Sequence, residues 1–218
     1  MKAIVAVDVN WGIGKNNDLL FNIPEDMKFF REKTKGMTVC MGYNTLLSFP
    51  GSKPLKNRVN IVLAPEGVER DDCIVTHTLK ELSAELKKYD QDNVFVIGGA
   101  MFYKTMLPYC SEVFVTKVKA DGEATVFYPN LDALDNFKCV YVSDEVESNG
   151  LKLNFTTYKN EKVARESFHP GEKYYLSRAF LAALTNVVKP FASFTARSAN
   201  ILRLISIPAL LRPLMNVE

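Results

Sequence analysis

Val94-Phe95-Val96-Ile97-Gly98-Gly99-Ala100-Met101-Phe102-Tyr103 runs from an apolar strand through a glycine pair into a helix. The strand side, residues 93–97, is almost unbroken in apolar side chains, and residues 100–107 carry helical spacing. A strand handed on at once to a helix predicts a parallel sheet with helices on its faces. The same pattern recurs upstream. Residues 37–41 read as a strand that ends at Gly42 and yields to a short helical pattern from Asn44 or Thr45. Residues 2–9, 58–63 and 73–76 supply further short strands, and Leu79, Leu82 and Leu86 mark a helix over 79–89. Downstream the character changes. Residues 111–120 and 137–147 predict longer strands, and Asn149-Gly150 predicts a tight hairpin into 151–158. The expected fold is α/β, a mostly parallel central sheet with an antiparallel C-terminal hairpin, helices on both faces and a helical C-terminal extension.

Composition narrows the class. The 218 residues are 47% apolar and 24% charged, as in an ordinary globular protein. The net charge of +2 favours no nucleic-acid partner. Cys40, Cys73, Cys110 and Cys139 have no close spacing and no neighbouring histidine, so no metal site or redox pair is spelled, and all four read as small core residues. The apolar run at residues 3–7 is too short for a signal peptide and reads as a strand, which makes the cytoplasm the expected compartment.

Three features carry chemistry. Gly42 and Gly98-Gly99 each stand where a strand passes into a helix, where bare backbone can approach a ligand and free N–H groups attract phosphate. Two such junctions at the carboxyl ends of one sheet suit the two ends of a long phosphate-bearing cofactor. In Leu20-Phe21-Asn22-Ile23-Pro24-Glu25-Asp26-Met27-Lys28-Phe29-Phe30, Pro24 opens a helix expected to run to Gly36. At about 100° per residue Asp26 falls between Ile23, Phe29 and Phe30, on the apolar side. It either favours the helix dipole in the first turn or meets a polar partner inside a pocket. Arg58, at a strand start, suits either a substrate carboxylate or solvent.

Taken in order, Ile4-Val5-Ala6, Trp11-Gly12-Ile13-Gly14, Leu19-Leu20-Phe21, residues 23–30, Met41-Gly42 with Thr45, residues 54–63 and Val96-Ile97-Gly98-Gly99 resemble a bacterial dihydrofolate reductase over residues 1 to about 160. Thr116 and Phe127-Tyr128-Pro129 extend the match. The resemblance implies NADPH-dependent reduction of dihydrofolate to tetrahydrofolate, an oxidoreductase of one-carbon metabolism. It implies that Asp26, held by Thr116, grips the pterin edge and promotes its protonation. Ile4, Val5, Met27, Phe30, Phe49, Leu55, Ile97 and Tyr103 would contact the substrate, and Arg58 its glutamate tail. Ala6, Ile13, Gly14, Leu19, Gly42, Tyr43, Asn44, Thr45, Leu63, Ala64, Gly98, Gly99, Ala100, Met101 and Phe102 would line the cofactor, with a cis Gly98-Gly99 peptide. The loop 11–20 would close over the nicotinamide.

Some positions depart from the family pattern. Tyr43 replaces a usual arginine, Ala64-Pro65 a usual serine, and Met101 a position that is sometimes basic, so NADPH is expected with NADH left open. Phe21 replaces a frequent tryptophan, and Ala124-Thr125-Val126 lacks a common acid. Two rival readings share the fold: a riboflavin-pathway pyrimidine reductase, and a folate-binding or interaction protein with a weakened cofactor site.

Residues 161–172, ending in His169-Pro170-Gly171, read as a linker to a tail over 173–218. That tail holds six Lys/Arg and one acid, with Leu176, Ala179, Phe180, Ala183, Leu184, Val187 and Val188 at helical spacing. Arg178, Lys189, Arg197, Arg203 and Arg212 interrupt every apolar run, so it is not a transmembrane span. A basic amphipathic segment of this kind could lie on an anionic membrane surface or contact a protein.

Overall fold

The structure, a computed structural model, describes residues 1–16 and 18–164. The linker and tail readings for 165–218 lie outside the described residues.

The apolar runs fall where both faces of a strand are buried, and this sets the order of the sheet. β1 (Lys2–Val7) lies between β6 (Val94–Val96) and β7 (Glu112–Val118), parallel to both. β3 (Thr38–Gly42) pairs in parallel with β6 and with β4 (Val59–Leu63), and β4 with β5 (Ile74–Thr76). Val39, Cys40, Met41, Ile61, Val62, Val94 and Val96 have no exposed surface, which explains strands without polar alternation. The far edge is antiparallel. β11 (Leu151–Asn160) returns along β7 and carries β9 (Phe137–Val142) and β10 (Val146–Ser148) on its other side. The full order is β10-β11-β7-β1-β6-β3-β4-β5, with β9 on β11.

Four helices cover the sheet: α1 (Pro24–Thr34), α2 (Tyr43–Ser48), α3 (Leu79–Leu86) and α4 (Ala100–Met106). The two sheet faces bury separate cores. Val5, Val7, Leu82, Phe102, Met106 and Tyr158 belong to one, and Ile4, Met41, Leu46, Ile97 and Phe114 to the other, where Phe29, Phe30, Phe49 and Leu55 pack.

The differences from expectation have local causes. α1 stops at Thr34 because Lys35 is extended and Gly36 turns with φ +76°, its N–H bonding the Asn57 carbonyl at 2.9 Å. β1 stops at Val7 because Asp8 turns back to bond the Gly12 carbonyl at 3.0 Å. The loop expected over residues 11–20 contains β2 (Gly12–Gly14), paired with β8 (Val126–Phe127), a long-range pairing with no local signal. The single strand expected over 137–147 is two, parted where the Ser143 hydroxyl accepts the Phe155 N–H at 2.9 Å. Cys40 and Cys110 are buried as expected, whereas Cys73 is half-buried and Cys139 is exposed on the outer edge of β9, where no further strand covers it. Among the described residues no helix is long and apolar enough to cross a membrane.

Candidate active site

The parallel order puts the two glycine junctions side by side. β3 and β6 are neighbours, so Gly42 ends one strand beside the place where Gly98-Gly99 follows the next, and the Gly42 N–H bonds the Gly98 carbonyl at 2.7 Å. The Gly98-Gly99 peptide is cis. A Cβ at Gly98 would lie 3.1 Å from Thr45 Oγ1, and one at Gly99 3.2 Å from the same oxygen. Two bare backbones with Thr45 therefore form a cradle that side chains would fill, a fit for a ligand that needs close backbone approach. Asn44 and Met101 are exposed beside it, Tyr43 and Ala100 half-buried. The side chains of Leu63, Ala64 and Phe102 pack with the cores.

Across β1 lies the acid. Asp26, in the first turn of α1, opens on a cleft lined by Ala6, Gly12, Ile13, Leu19, Leu20, Phe21 and Ile23. Burial raises its pKa from the ordinary 3.8, and the Thr116 hydroxyl works against that rise. Thr116 is fully buried on β7, and its oxygen completes no hydrogen bond among the described residues. Thr116 is thus the side chain of β7 that bears on the Asp26 carboxyl. Tyr103, buried, donates its hydroxyl to the Ile4 carbonyl at 2.6 Å. Burial, and then the charge of Asp26, raise the pKa of that hydroxyl, so it stays a donor.

Ile4 and Ile97 belong to the core face shared with Phe30, Phe49 and Leu55, and these five form an apolar wall. The Val5 side chain alternates to the opposite face with Ala3 and Val7, as strand periodicity requires. Met27 is 39% exposed and Leu19 66% exposed, at the open side. Arg58 stands at the end of the wall, half-buried. Its Nε donates to Thr34 Oγ1 at 2.9 Å, its Nη1 to the Lys56 carbonyl at 2.8 Å, and its guanidinium lies over the Phe30 ring at 5.8 Å. Burial and then Arg31 lower its pKa, so the site is one where an anion is wanted.

Sequence reading missed Thr34, whose hydroxyl fixes the Arg58 fork, and the part of Leu20 in lining the cleft with Asp26. Only its closeness in sequence to Asp26 could have marked Leu20.

This geometry has known counterparts. The family model described as dihydrofolate reductase matches residues 1–160. The dihydrofolate reductase of Bacillus subtilis is 32% identical over 166 residues, covering 74% of this chain and 95% of its own length. That of Sus scrofa is 35% identical over 183 residues, covering 73% and 97%. A solved dihydrofolate reductase from Enterococcus faecalis, complexed with NADP(H) and RAB-propyl, superposes with a TM-score of 0.66 at 31% identity, covering 73% of this chain and 95% of that one.

Proposed function

Because this chain belongs to the dihydrofolate reductase family, we propose that its cleft carries out NADPH-dependent reduction of dihydrofolate to tetrahydrofolate, with Asp26 as the acid. The observation that carries this reading is one half-buried carboxylate, its pKa raised by desolvation, in a cleft on the same sheet whose neighbouring strand ends form a bare-backbone cradle.

The residues divide the work. A carboxylate accepts two N–H bonds from the amidine-like edge of a pterin, and in an apolar pocket such a bidentate pair both orients the ring and favours its protonated form. Asp26 thus raises the fraction of substrate protonated next to the carbon being reduced, the proton arriving through water. Ile4, Ile97, Phe30, Phe49 and Leu55 hold the apolar rings and exclude solvent, and Arg58, preset by Thr34, takes the glutamate carboxylate. Gly42, Thr45 and Gly98-Gly99 would hold the dinucleotide, with Ile13 and Gly14 over its reactive end. When bound, NADPH supplies the hydride.

Arg58 and the Asp26 pocket favour this reading over a pyrimidine reductase, which has no carboxylate tail to hold. The test is spectrophotometric: oxidation of NADPH, and separately NADH, with dihydrofolate. A protein that binds a folate analogue yet oxidises neither is a binding protein, and the proposal fails.

A further inference from the structure

One buried acid has no part in that chemistry. Asp8 is 3% exposed and follows β1 directly. Its Oδ1 accepts the backbone N–H groups of Asn10 at 2.8 Å and Gly12 at 2.7 Å, and its Oδ2 accepts that of Gly122 at 3.2 Å. Asn10 and Gly12 lead into the segment that borders the cleft, whereas Gly122 lies on the separate loop before β8. The carboxylate is therefore a node between two segments more than a hundred residues apart in sequence.

The surroundings show how tightly the node is closed. A Cβ on Gly12 would lie 2.2 Å from the Ala124 Cβ and 2.7 Å from Asp8 Oδ2. A Cβ on Gly122 would lie 2.8 Å from Leu20 Cδ1 and 3.0 Å from Phe21 Cζ, both on residues that line the cleft with Asp26. The Val9 N–H bonds the Ala120 carbonyl at 3.2 Å, the Thr125 N–H the Gly14 carbonyl at 3.0 Å, and the Tyr128 N–H the Trp11 carbonyl at 2.8 Å. Burying a carboxylate is costly unless oriented donors meet it, and three backbone N–H groups do so here. An acid suits the node because each oxygen only accepts, so both can serve donors on different segments. An amide would turn an NH2 toward one of them.

We propose that Asp8 is a positioning residue for the reduction: its carboxylate pins residues 10–14 to the 120–125 loop and so holds the Ile13 and Leu20 side of the cleft closed over Asp26. This rests on the reductase reading of the cleft. The Lys15–Glu123 ion pair at 2.9 Å joins the same two segments at the surface, but its side chains are 40% and 82% exposed, and a solvent-screened pair of that kind contributes little.

Trp11 makes the proposal testable without catalysis. It is the only tryptophan in the chain, 8% exposed, and stacks on Tyr128 with ring centroids 6.3 Å apart. Acrylamide quenching of its fluorescence reads the segment directly. Asp8→Asn is expected to raise the quenching constant severalfold and to lower kcat about tenfold with KM for dihydrofolate within about twofold, since misplacing the cleft wall spoils alignment more than binding. Glu123→Ala is expected to change none of these. In the parent protein the Gly12 and Gly122 amides are expected to exchange with solvent slowly and at matching rates, a result that needs no variant to fold. Unprotected amides, or an Asp8→Asn protein whose Trp11 stays shielded whatever its kcat, overturns the proposal. Absence of NADPH oxidation by the parent protein overturns the reductase reading instead, and the quenching result then decides the tether alone.

Discussion

The wall built along α1 from Asp26 and the rim formed by Gly42 and Gly98-Gly99 belong to one sheet but are built by opposite means. The wall works through side chains: a half-buried acid, an apolar surface from Ile4 to Leu55, and an arginine fixed by a threonine. The rim works by leaving side chains out, so that backbone and one hydroxyl, Thr45, meet the ligand. A side-chain site fails by losing a group and a backbone site by gaining one. Conservative replacement should therefore hurt the wall in chemistry and the rim in binding and stability.

The largest effect is expected at Asp26. Asp26→Asn keeps the shape and removes the charge, and kcat/KM should fall at least about a hundredfold, the scale of a positioned acid group. The loss should deepen as the pH rises, because protonated substrate grows scarce. Stability should move the other way. Burial raises the folded-state pKa of Asp26 above 3.8, so above 3.8 the folded protein binds more protons at this site than the unfolded chain does. Its stability then falls as the pH climbs through the raised value. The Asn variant lacks that slope, and its Tm should exceed the parent's at neutral pH and lose the advantage below pH 3.8. A variant with the parent's pH–rate profile would break the contrast between wall and rim.

Gly98→Ala probes the rim. Gly98 has φ +135°, where an L side chain is strained, and the added Cβ meets Thr45 at 3.1 Å. The strain should cost about 1–3 kcal/mol of stability, and crowding of the cradle should raise KM for NADPH about tenfold or more while KM for dihydrofolate holds. If both KM values rose together, the rim and the wall would not be separable. Arg58→Lys comes next. Lysine keeps the charge and loses the planar fork, so KM for dihydrofolate should rise about tenfold with kcat nearly unchanged. A fall in kcat instead would place Arg58 in the chemistry.

How much of this was legible in the sequence follows the same division. The wall was readable because an acid on the apolar side of a helix is locally anomalous, and because the family resemblance places Ile4 and Ile97. The rim was readable only as two glycine junctions. That they touch, through the Gly42 N–H and the Gly98 carbonyl, depends on β3 and β6 being neighbours, which no local pattern states. Asp8 and the β2–β8 pairing were invisible for the same reason, since each joins segments far apart in the chain. Val5 shows the converse: strand alternation already turns its side chain from the face that Ile4 shares with the wall, and only the motif around it suggested contact. Tyr43, Ala64 and Met101, which stand where the family pattern favours arginine, serine and sometimes a base, leave the choice between NADPH and NADH to the paired assays.

The smallest effect is expected at Thr116, and it tests whether the wall is tuned as well as formed. The hydroxyl is buried, completes no hydrogen bond among the described residues, and yet opposes the rise in the Asp26 pKa. Thr116→Val replaces it with a methyl group of similar size, removing an unpaired polar atom, so stability should hold or improve by up to about 1 kcal/mol. With the opposing hydroxyl gone, burial alone governs Asp26 and its pKa should climb further. Asp26 would then stay protonated to higher pH, and the midpoint of the pH–rate profile should move upward while KM for NADPH stays put. A midpoint that moves downward would mean that Thr116 donates to the neutral acid instead of the carboxylate. A midpoint that does not move would show that desolvation by the apolar wall sets the acid without help from β7.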